Sequence, residues 1–183
     1  GDATAKRTVV GTTNMGLAAG QFTNTNTNFD VTYNVTDGYV TINKATFTVT
    51  GTDYNKAYDG DAHGDAAVPS VTAGTTVYYS VDGGAESTDV PTIKDVGSKT
   101  VSVRAVNPNY TDATCTYTLT VTKLAVTVAV TGHNVTKTYD SSEYTASGYD
   151  FTPNSTLYLE SYTTFSGDAT AKRTVVGTTN MGL

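Results

Sequence analysis

The sequence lacks tryptophan, has a single cysteine and four prolines, and carries charge on only 15% of its residues. The lone cysteine, Cys115, excludes an internal disulfide, and its place among alternating threonines indicates a small buried side chain. No stretch repeats apolar residues at the i, i+3, i+4, i+7 spacing of an amphipathic helix. A long apolar run and a signal segment are also missing, so we expect no membrane insertion in this segment.

Basic residues are few as well. Eleven lysines and arginines against seventeen acidic residues give a net charge of −6 and an isoelectric point near 4.6. Such a surface repels phosphate backbones and anionic lipids, so nucleic acid is not an expected partner. The only histidines, His63 and His133, stand in no zinc-binding or nucleophile motif, and no phosphate-binding glycine loop is present. We therefore expect no catalytic residue, no cofactor and no enzymatic activity.

Threonine, valine and tyrosine dominate what is present, and all three fit a pleated, half-buried surface. Alternation of apolar and polar residues predicts strands, and Asp-Gly pairs between them predict hairpin turns. The predicted strands are 31–35, 39–42, 47–50, 77–81, 100–106, 117–121, 126–130, 157–159 and 174–176. Short strands separated by such turns predict an all-β fold of Ig-like β-sandwich modules in tandem.

An internal repeat is the most informative feature. Residues 1–17 and 167–183 both read GDATAKRTVVGTTNMGL, which defines a tandem period of 166 residues. A weaker period of 81 residues relates residues 49–51 to 130–132, both of sequence VTG, and Lys56 to Lys137. The long unit therefore consists of two diverged modules.

The weaker period sets the module boundaries. We predict that residues 1–44 are the C-terminal part of an A-type Ig-like module and that 45–123 form a complete B-type module. Residues 124–183 are then the N-terminal part of the next A-type module. We expect seven or eight strands in the B-type module, with its ends at opposite poles. The A-type module carries Ser141 where the other has Gly60, which indicates a different turn type.

Three stretches of the B-type module resemble a known family. VTG followed by KAYDG at Val49 to Gly60, YYSVDGG at Tyr78 to Gly84, and the run from Val96 to Lys123 are similar to bacterial Ig-like repeats of the MBG type. Residues 127–140 and 26–45 resemble a companion type that alternates with it. The resemblance implies a large adhesin or fibre protein on the bacterial cell surface, attached to the cell wall or secreted, and hence extracellular.

Two weak chemical sites can be drawn from the residues. Asp59, Asp61 and Asp65 are spaced as in a calcium loop, but Ser70 stands where a bidentate glutamate is needed, so we expect a solvated turn and no bound metal. A self-formed Lys–Asn crosslink is the second idea, because matching positions recur in both modules. Its candidates are Lys56, Lys137, Asn28 and Asn109, and solvated lysines with turn-forming asparagines are the simpler interpretation.

Two functions from different classes are open. The first is a structural spacer, in which modules stack end to end into a stalk or fibre. The second is an adhesin module that binds host glycan or protein, which exposed neighbouring aromatics such as Tyr78, Tyr79 and Tyr110 would favour and a flat threonine-covered face would not. For the spacer, the expected partners are other copies of the repeat, head to tail.

The proposed contact between copies is strand complementation. Residues 18–44 of one copy would supply strands to residues 125–183 of the next, because each part alone leaves strand edges unpaired. A chain cut from one continuous repeat polymer would give the same geometry, and both origins remain open.

Overall fold

The computed structural model describes residues 3–182. Within that range the chain is all-β, as predicted, with twelve strands and two single 3-10 turns at Ala19–Gln21 and Glu160–Tyr162. The strands are β1 (Gly11–Asn14), β2 (Tyr39–Ile42), β3 (Val49–Thr50), β4 (Tyr54–Ala57), β5 (Val68–Pro69), β6 (Thr76–Val81), β7 (Gly97–Val106), β8 (Ala113–Thr122), β9 (Val128–Gly132), β10 (Tyr144–Ser147), β11 (Tyr149–Pro153) and β12 (Thr170–Arg173).

The chain divides into two compact units. The first holds the residues up to Lys56 together with Ala62–Thr122, and the second holds Ala57–Asp61 together with the residues from Lys123 onward.

A four-stranded sheet in the order β4-β8-β7-β6 forms the centre of the first unit. From Val101 onward β7 buries every second residue, and β8 does the same except at Cys115, which is only half-buried rather than buried as predicted. Val101 and Leu119 have no solvent exposure at all. The other face carries paired hydroxyl side chains, such as Thr100 opposite Thr118 and Ser102 opposite Thr116. One face is therefore core and the other a polar surface.

A two-stranded sheet covers the apolar face. β3 pairs with β5, placing Val49 opposite Pro69, and β3 contacts both β7 and β8. Val49 is buried there, as is Tyr79 from β6. The Tyr79 hydroxyl accepts a hydrogen bond from the Ala67 N–H at 3.0 Å, so the polar end of this ring is satisfied inside the core.

The second unit contains two separate antiparallel pairs. β9 pairs with β11, from Val128 opposite Pro153 to Gly132 opposite Tyr149, and β10 pairs with β12. Side chains alternate between half-buried and exposed along β10 and β11 but not along β9 and β12, and none of those described is fully buried. These pairs are ordered ladders without a closed core.

One predicted Asp-Gly turn forms between paired segments, whereas the hairpin predicted at Asp37-Gly38 is wrong, because residues 31–38 form no strand and β2 pairs with β1 instead. Asp82 and Gly83 both have positive φ (50° and 76°), the arrangement that a tight hairpin turn requires. Ser141 has a φ of 69°, close to the 88° of Gly60, so the expected change of turn type at Ser141 is wrong. Asp140 Oδ1 accepts the Ser142 N–H at 2.9 Å and thereby supports this left-handed residue.

Several strand predictions are wrong. Residues 31–35, 157–159 and 174–176 form no strand, although their residues alternate as predicted. Alternation of apolar and polar residues shows only that a segment is suited to a half-buried strand. A strand also needs a neighbouring strand to hydrogen-bond with, and these segments pair with none among the described residues. Between residues 45 and 123, all of which are described, there are six strands rather than seven or eight.

Two valines of the first unit, one buried on β7 and one exposed just before it, should differ sharply in the stability lost when each is replaced by alanine. Val101→Ala removes a side chain with no exposure, and we expect a loss of about 2–3 kcal/mol in the free energy of unfolding. Val96→Ala makes the same change at a side chain that is 50% exposed and should cost about 0.5 kcal/mol or less. Urea denaturation followed by circular dichroism measures both. Equal losses would contradict the assigned core.

Candidate assembly site

One arginine organises a turn inside the duplicated segment. In the N-terminal copy, Arg7 Nε donates to the carbonyl oxygen of Val9 at 2.8 Å, and Nη2 donates to that of Val10. Arg7 Nη1 donates to the carbonyl oxygen of Thr12 at 3.3 Å and to the hydroxyl of Thr13 at 3.1 Å. The planar guanidinium has five N–H donors in a fixed fork, which suits such a ring of acceptors. We call this turn the arginine clamp.

The C-terminal copy forms the same clamp. Arg173 Nε donates to the carbonyl oxygen of Val175 at 2.8 Å, and Nη2 to that of Val176 at 2.9 Å. Arg173 Nη1 donates to the carbonyl oxygen of Thr178 at 3.1 Å and to the hydroxyl of Thr179 at 3.0 Å. Because two copies with different neighbours make the same contacts, the local sequence itself specifies the turn.

Each clamp depends on a glycine. Gly11 and Gly177 have φ of +128° and +137°, which side-chain-bearing residues rarely adopt. A Cβ at either position would also overlap the guanidinium that closes the turn. The pairing of arginine with this glycine is therefore a steric requirement of the clamp.

The strands beside the clamp are paired differently in the two copies. In the N-terminal copy, β1 begins at Gly11 within the clamp and pairs antiparallel with β2, whereas residues 4–7 belong to no strand. In the C-terminal copy, β12 ends at the clamp residue Arg173 and pairs with β10, whereas residues 177–180 belong to no strand. Each copy thus pairs the half of the segment that the other copy leaves unpaired.

Solvent exposure differs in the same way. The N–H of Val10 donates to Asn109 Oδ1 at 3.2 Å, and Val10 is half-buried. Val176 occupies the equivalent position of the C-terminal copy and is 82% exposed. An identical residue therefore has a packed environment in one copy and lacks it in the other.

Buried apolar side chains are confined to the predicted B-type module. Among the described residues, all eleven lie between Val49 and Val121. Of the seventeen large apolar side chains that are exposed, fourteen lie outside residues 45–123. Exposed apolar surface on this scale is typical of an interaction site.

The second unit has an open groove of about 700 Å³, which we call the clamp groove. Residues 132–139 line one part of it, and the Arg173 clamp with the unpaired residues 177–180 lines another. Lys137, Lys172 and Arg173 supply three positive charges, and none of the described residues that line the groove carries a carboxylate. The groove is therefore cationic, and residues 177–180, which pair with no strand, lie along its border.

Polar contacts fix the loop on the groove's other side. His133 Nε2 lies 3.1 Å from Asp150 Oδ1, and Nδ1 lies 3.0 Å from the carbonyl oxygen of Ser147. The hydrogen bond with Asp150 raises the pKa of His133 above its usual value. Nearby, the Tyr144 hydroxyl donates to Asp140 Oδ2 at 2.6 Å, which lowers the pKa of Asp140.

The residues of the weak calcium candidate have other contacts. Asp59 Oδ1 accepts the Asp61 N–H at 3.0 Å, as in a polar turn, and the Asp65 carbonyl oxygen accepts from the Tyr117 hydroxyl at 3.3 Å. In the part of the chain that the structure describes, no three Asp, Glu, His or Cys side chains converge as metal ligands. His63, also considered above, stacks on Tyr54 with ring centres 4.7 Å apart.

The crosslink candidates are likewise placed in ordinary contacts. Lys56 is exposed on β4, and Lys137 Nζ lies 5.9 Å above the ring of Tyr144. Asn28 donates its backbone N–H to Asn26 Oδ1 at 3.1 Å, and Asn109 accepts from the Val10 N–H. No hydrogen bond joins these lysines to these asparagines, and the structure assigns Asn109 instead to holding the duplicated segment.

The arginine clamp was not predicted from the sequence. Its signal is present, since Arg followed four residues later by Gly occurs at both ends of the chain.

A second unpredicted cluster lies on the hydroxyl-rich face, where Arg104 bonds Glu86 at 2.6 Å and Asp112 at 3.2 Å and covers the ring of Tyr78. The bond from Arg104 lowers the pKa of Glu86.

In comparisons with known proteins, no family model, no curated protein and no solved structure matches the chain. Among the described residues, no helix has the length and apolar character needed to span a membrane.

The two clamps provide matched variants. Arg173→Lys replaces the planar fork with a single ammonium group, which cannot reach all four acceptors, and we expect a local loss of about 1–2 kcal/mol. Amide chemical shifts of residues 175–179 should move toward unfolded values, while those of 9–13 remain unchanged. Arg7→Lys should do the reverse. Unchanged shifts in both variants would show that the clamps do not hold the turns.

Proposed function

We propose that this chain is a structural tandem-repeat piece of a bacterial cell-surface or secreted fibre, built from Ig-like β-sandwich modules of the MBG type. Its role is to supply length, as a stalk, rather than to catalyse a reaction. The repeat of 166 residues supports this, because duplication of near-identical modules extends a stalk without needing a unique site.

The position of the two ends of residues 45–123 carries the proposal. Ala45 bonds Asn109 and Thr111 through its backbone, next to the start of β8. Thr122 is the last residue of β8. A ten-residue strand is roughly 30 Å long at about 3.3 Å per residue, so the chain enters this segment near one end of β8 and leaves at the other. Opposite ends are what a stacked stalk requires.

The packing of the first unit supports a sandwich. Two layers, β3-β5 and β4-β8-β7-β6, enclose the buried side chains, and no disulfide is available to replace that core. With 79 residues, such a module is small and gains stability from neighbouring modules.

The aromatic side chains do not favour the adhesin alternative. Tyr79 is buried, Tyr78 lies under the Arg104 guanidinium, and the Tyr110 ring packs 5.4 Å from Phe47. Apart from the cluster around Arg104, the outer face of β7 and β8 carries mainly serine and threonine. An adhesin would need a contact surface elsewhere, so the spacer is the function that these observations support.

Small-angle X-ray scattering tests the stalk. We expect the maximum dimension of polypeptides with one, two and four 166-residue repeats to rise in proportion to repeat number. A flexible chain of compact beads would rise with about the square root instead. A matched control carries a Gly/Ser linker between repeats and should lose the linear dependence. Square-root growth without the linker would contradict the proposal.

A further inference from the structure

We propose that the clamp groove binds a second copy of this chain, whose β2 forms a ladder with residues 177–180. The inference rests on the proposed function and names the partner, the strand and its register. The predicted pairs are Gly177 with Ile42, Thr178 with Thr41, Thr179 with Val40 and Asn180 with Tyr39 of the second copy, as β1 pairs with β2 within one chain.

Sequence identity determines the register. Residues 11–14 and 177–180 are both GTTN, and both follow an arginine clamp of the same geometry. A ladder of residues 177–180 with β2 of the second copy therefore contains the same hydrogen bonds as the β1–β2 ladder. The incoming segment can replace β1 without loss of pairing, since exchange of identical elements is a low-cost route to association.

The exchange provides the contacts that the C-terminal copy lacks. When residues 174–180 take the place of 8–14, the N–H of Val176 reaches Asn109 Oδ1 of the second copy, as Val10 does within one chain. Val176 is then covered rather than 82% exposed. The same docking brings residues 18–44 of the second copy, with their exposed apolar side chains, to the groove. Burial of apolar surface from both sides favours the exchange.

Charge complements this pairing. The groove is lined by three cationic side chains and no carboxylate, whereas residues 18–44 carry two carboxylates, Asp30 and Asp37, and one basic residue, Lys44. Attraction between them orients the encounter and weakens as salt is added.

The ladder ends at Asn180, because the Gly182 N–H already donates to the Asp168 carbonyl oxygen at 3.0 Å.

The contact is heterologous. The described residues of each copy provide one β2 and one clamp groove, so binding through these different surfaces passes from copy to copy and builds a filament or a ring. Association should therefore increase with concentration and with decreasing salt.

Cysteine pairs test the register. Thr12 Oγ1 and Thr41 Oγ1 lie 2.8 Å apart on β1 and β2, so the exchanged ladder places Thr178 of one chain against Thr41 of the second. In a Cys115→Ser background, a T41C chain is mixed with a T178C chain and oxidised. In the matched control the T178C chain is mixed with a V40C chain, because Val40 lies next to Thr41 on β2 and its side chain points to the opposite face. We expect disulfide-linked dimer in at least about tenfold excess over the control, as judged on non-reducing gels.

A single chain with both T12C and T41C shows whether a disulfide can form at this strand position. If that disulfide forms within the chain, and T178C gives no more dimer with T41C than with V40C, the proposed register is wrong.

Proline at the same position of the two copies gives a second test. The Met15 N–H donates to the Gly38 carbonyl oxygen, and bonded pairs alternate along an antiparallel ladder, so Thr13 is hydrogen-bonded to Val40. Thr179→Pro removes the equivalent bond between chains and should weaken association by about tenfold or more. Thr13→Pro removes the competing β1 and should strengthen it. Sedimentation velocity over a range of concentrations measures both.

Changes in the same direction for the two prolines, or a chain that stays monomeric at all concentrations, would overturn the exchange. Neither result affects the scattering of covalently linked repeats, so failure of this inference is distinguishable from failure of the stalk.

Discussion

The antiparallel pairing of β7 with β8 is the interaction on which the rest of the first unit depends. It runs from Gly97 opposite Val121 to Ala105 opposite Ala113 and supplies most of the buried side chains. β4 and β6 bond to its two edges, and β3 lies across its apolar face. The corner that joins the strands contains Asn107, which is buried and bonds Ala73 and Thr75. Because Ala45 attaches at this corner, the same hairpin also fixes where the chain enters.

The segments outside residues 45–123 follow a different principle. Their ladders are short, their apolar side chains are largely exposed, and their regular structure centres on two arginine clamps. The duplicated seventeen residues explain this arrangement, since they contain two strands that need two different partners. In the N-terminal copy only the second strand has its partner, and in the C-terminal copy only the first. We interpret the two copies as two states of one segment, and the exchange pairs both strands of the C-terminal copy while it releases β1 of the second chain.

Much of the fold could be predicted from the sequence where alternation coincided with a long hairpin. The strands 77–81, 100–106 and 117–121 lie within β6, β7 and β8, and the prediction of 39–42 matches β2. Residues 31–35 alternate equally well but form no strand, because a ladder requires a neighbour that alternation cannot reveal. The assembly site was visible only as a repeat. The clamp depends on how one guanidinium meets several carbonyl oxygens, which residue spacing alone does not specify.

The central claim is that one sequence has two pairing states, which exchange when copies associate. Amide hydrogen exchange of the unmodified chain, resolved at Thr13 and Thr179, tests it most directly. At low concentration the account predicts a protected Thr13 and an unprotected Thr179. As concentration rises, protection at Thr179 should increase while that at Thr13 decreases. Equal protection of the two residues at low concentration, or a Thr179 that stays unprotected at every concentration, would contradict it.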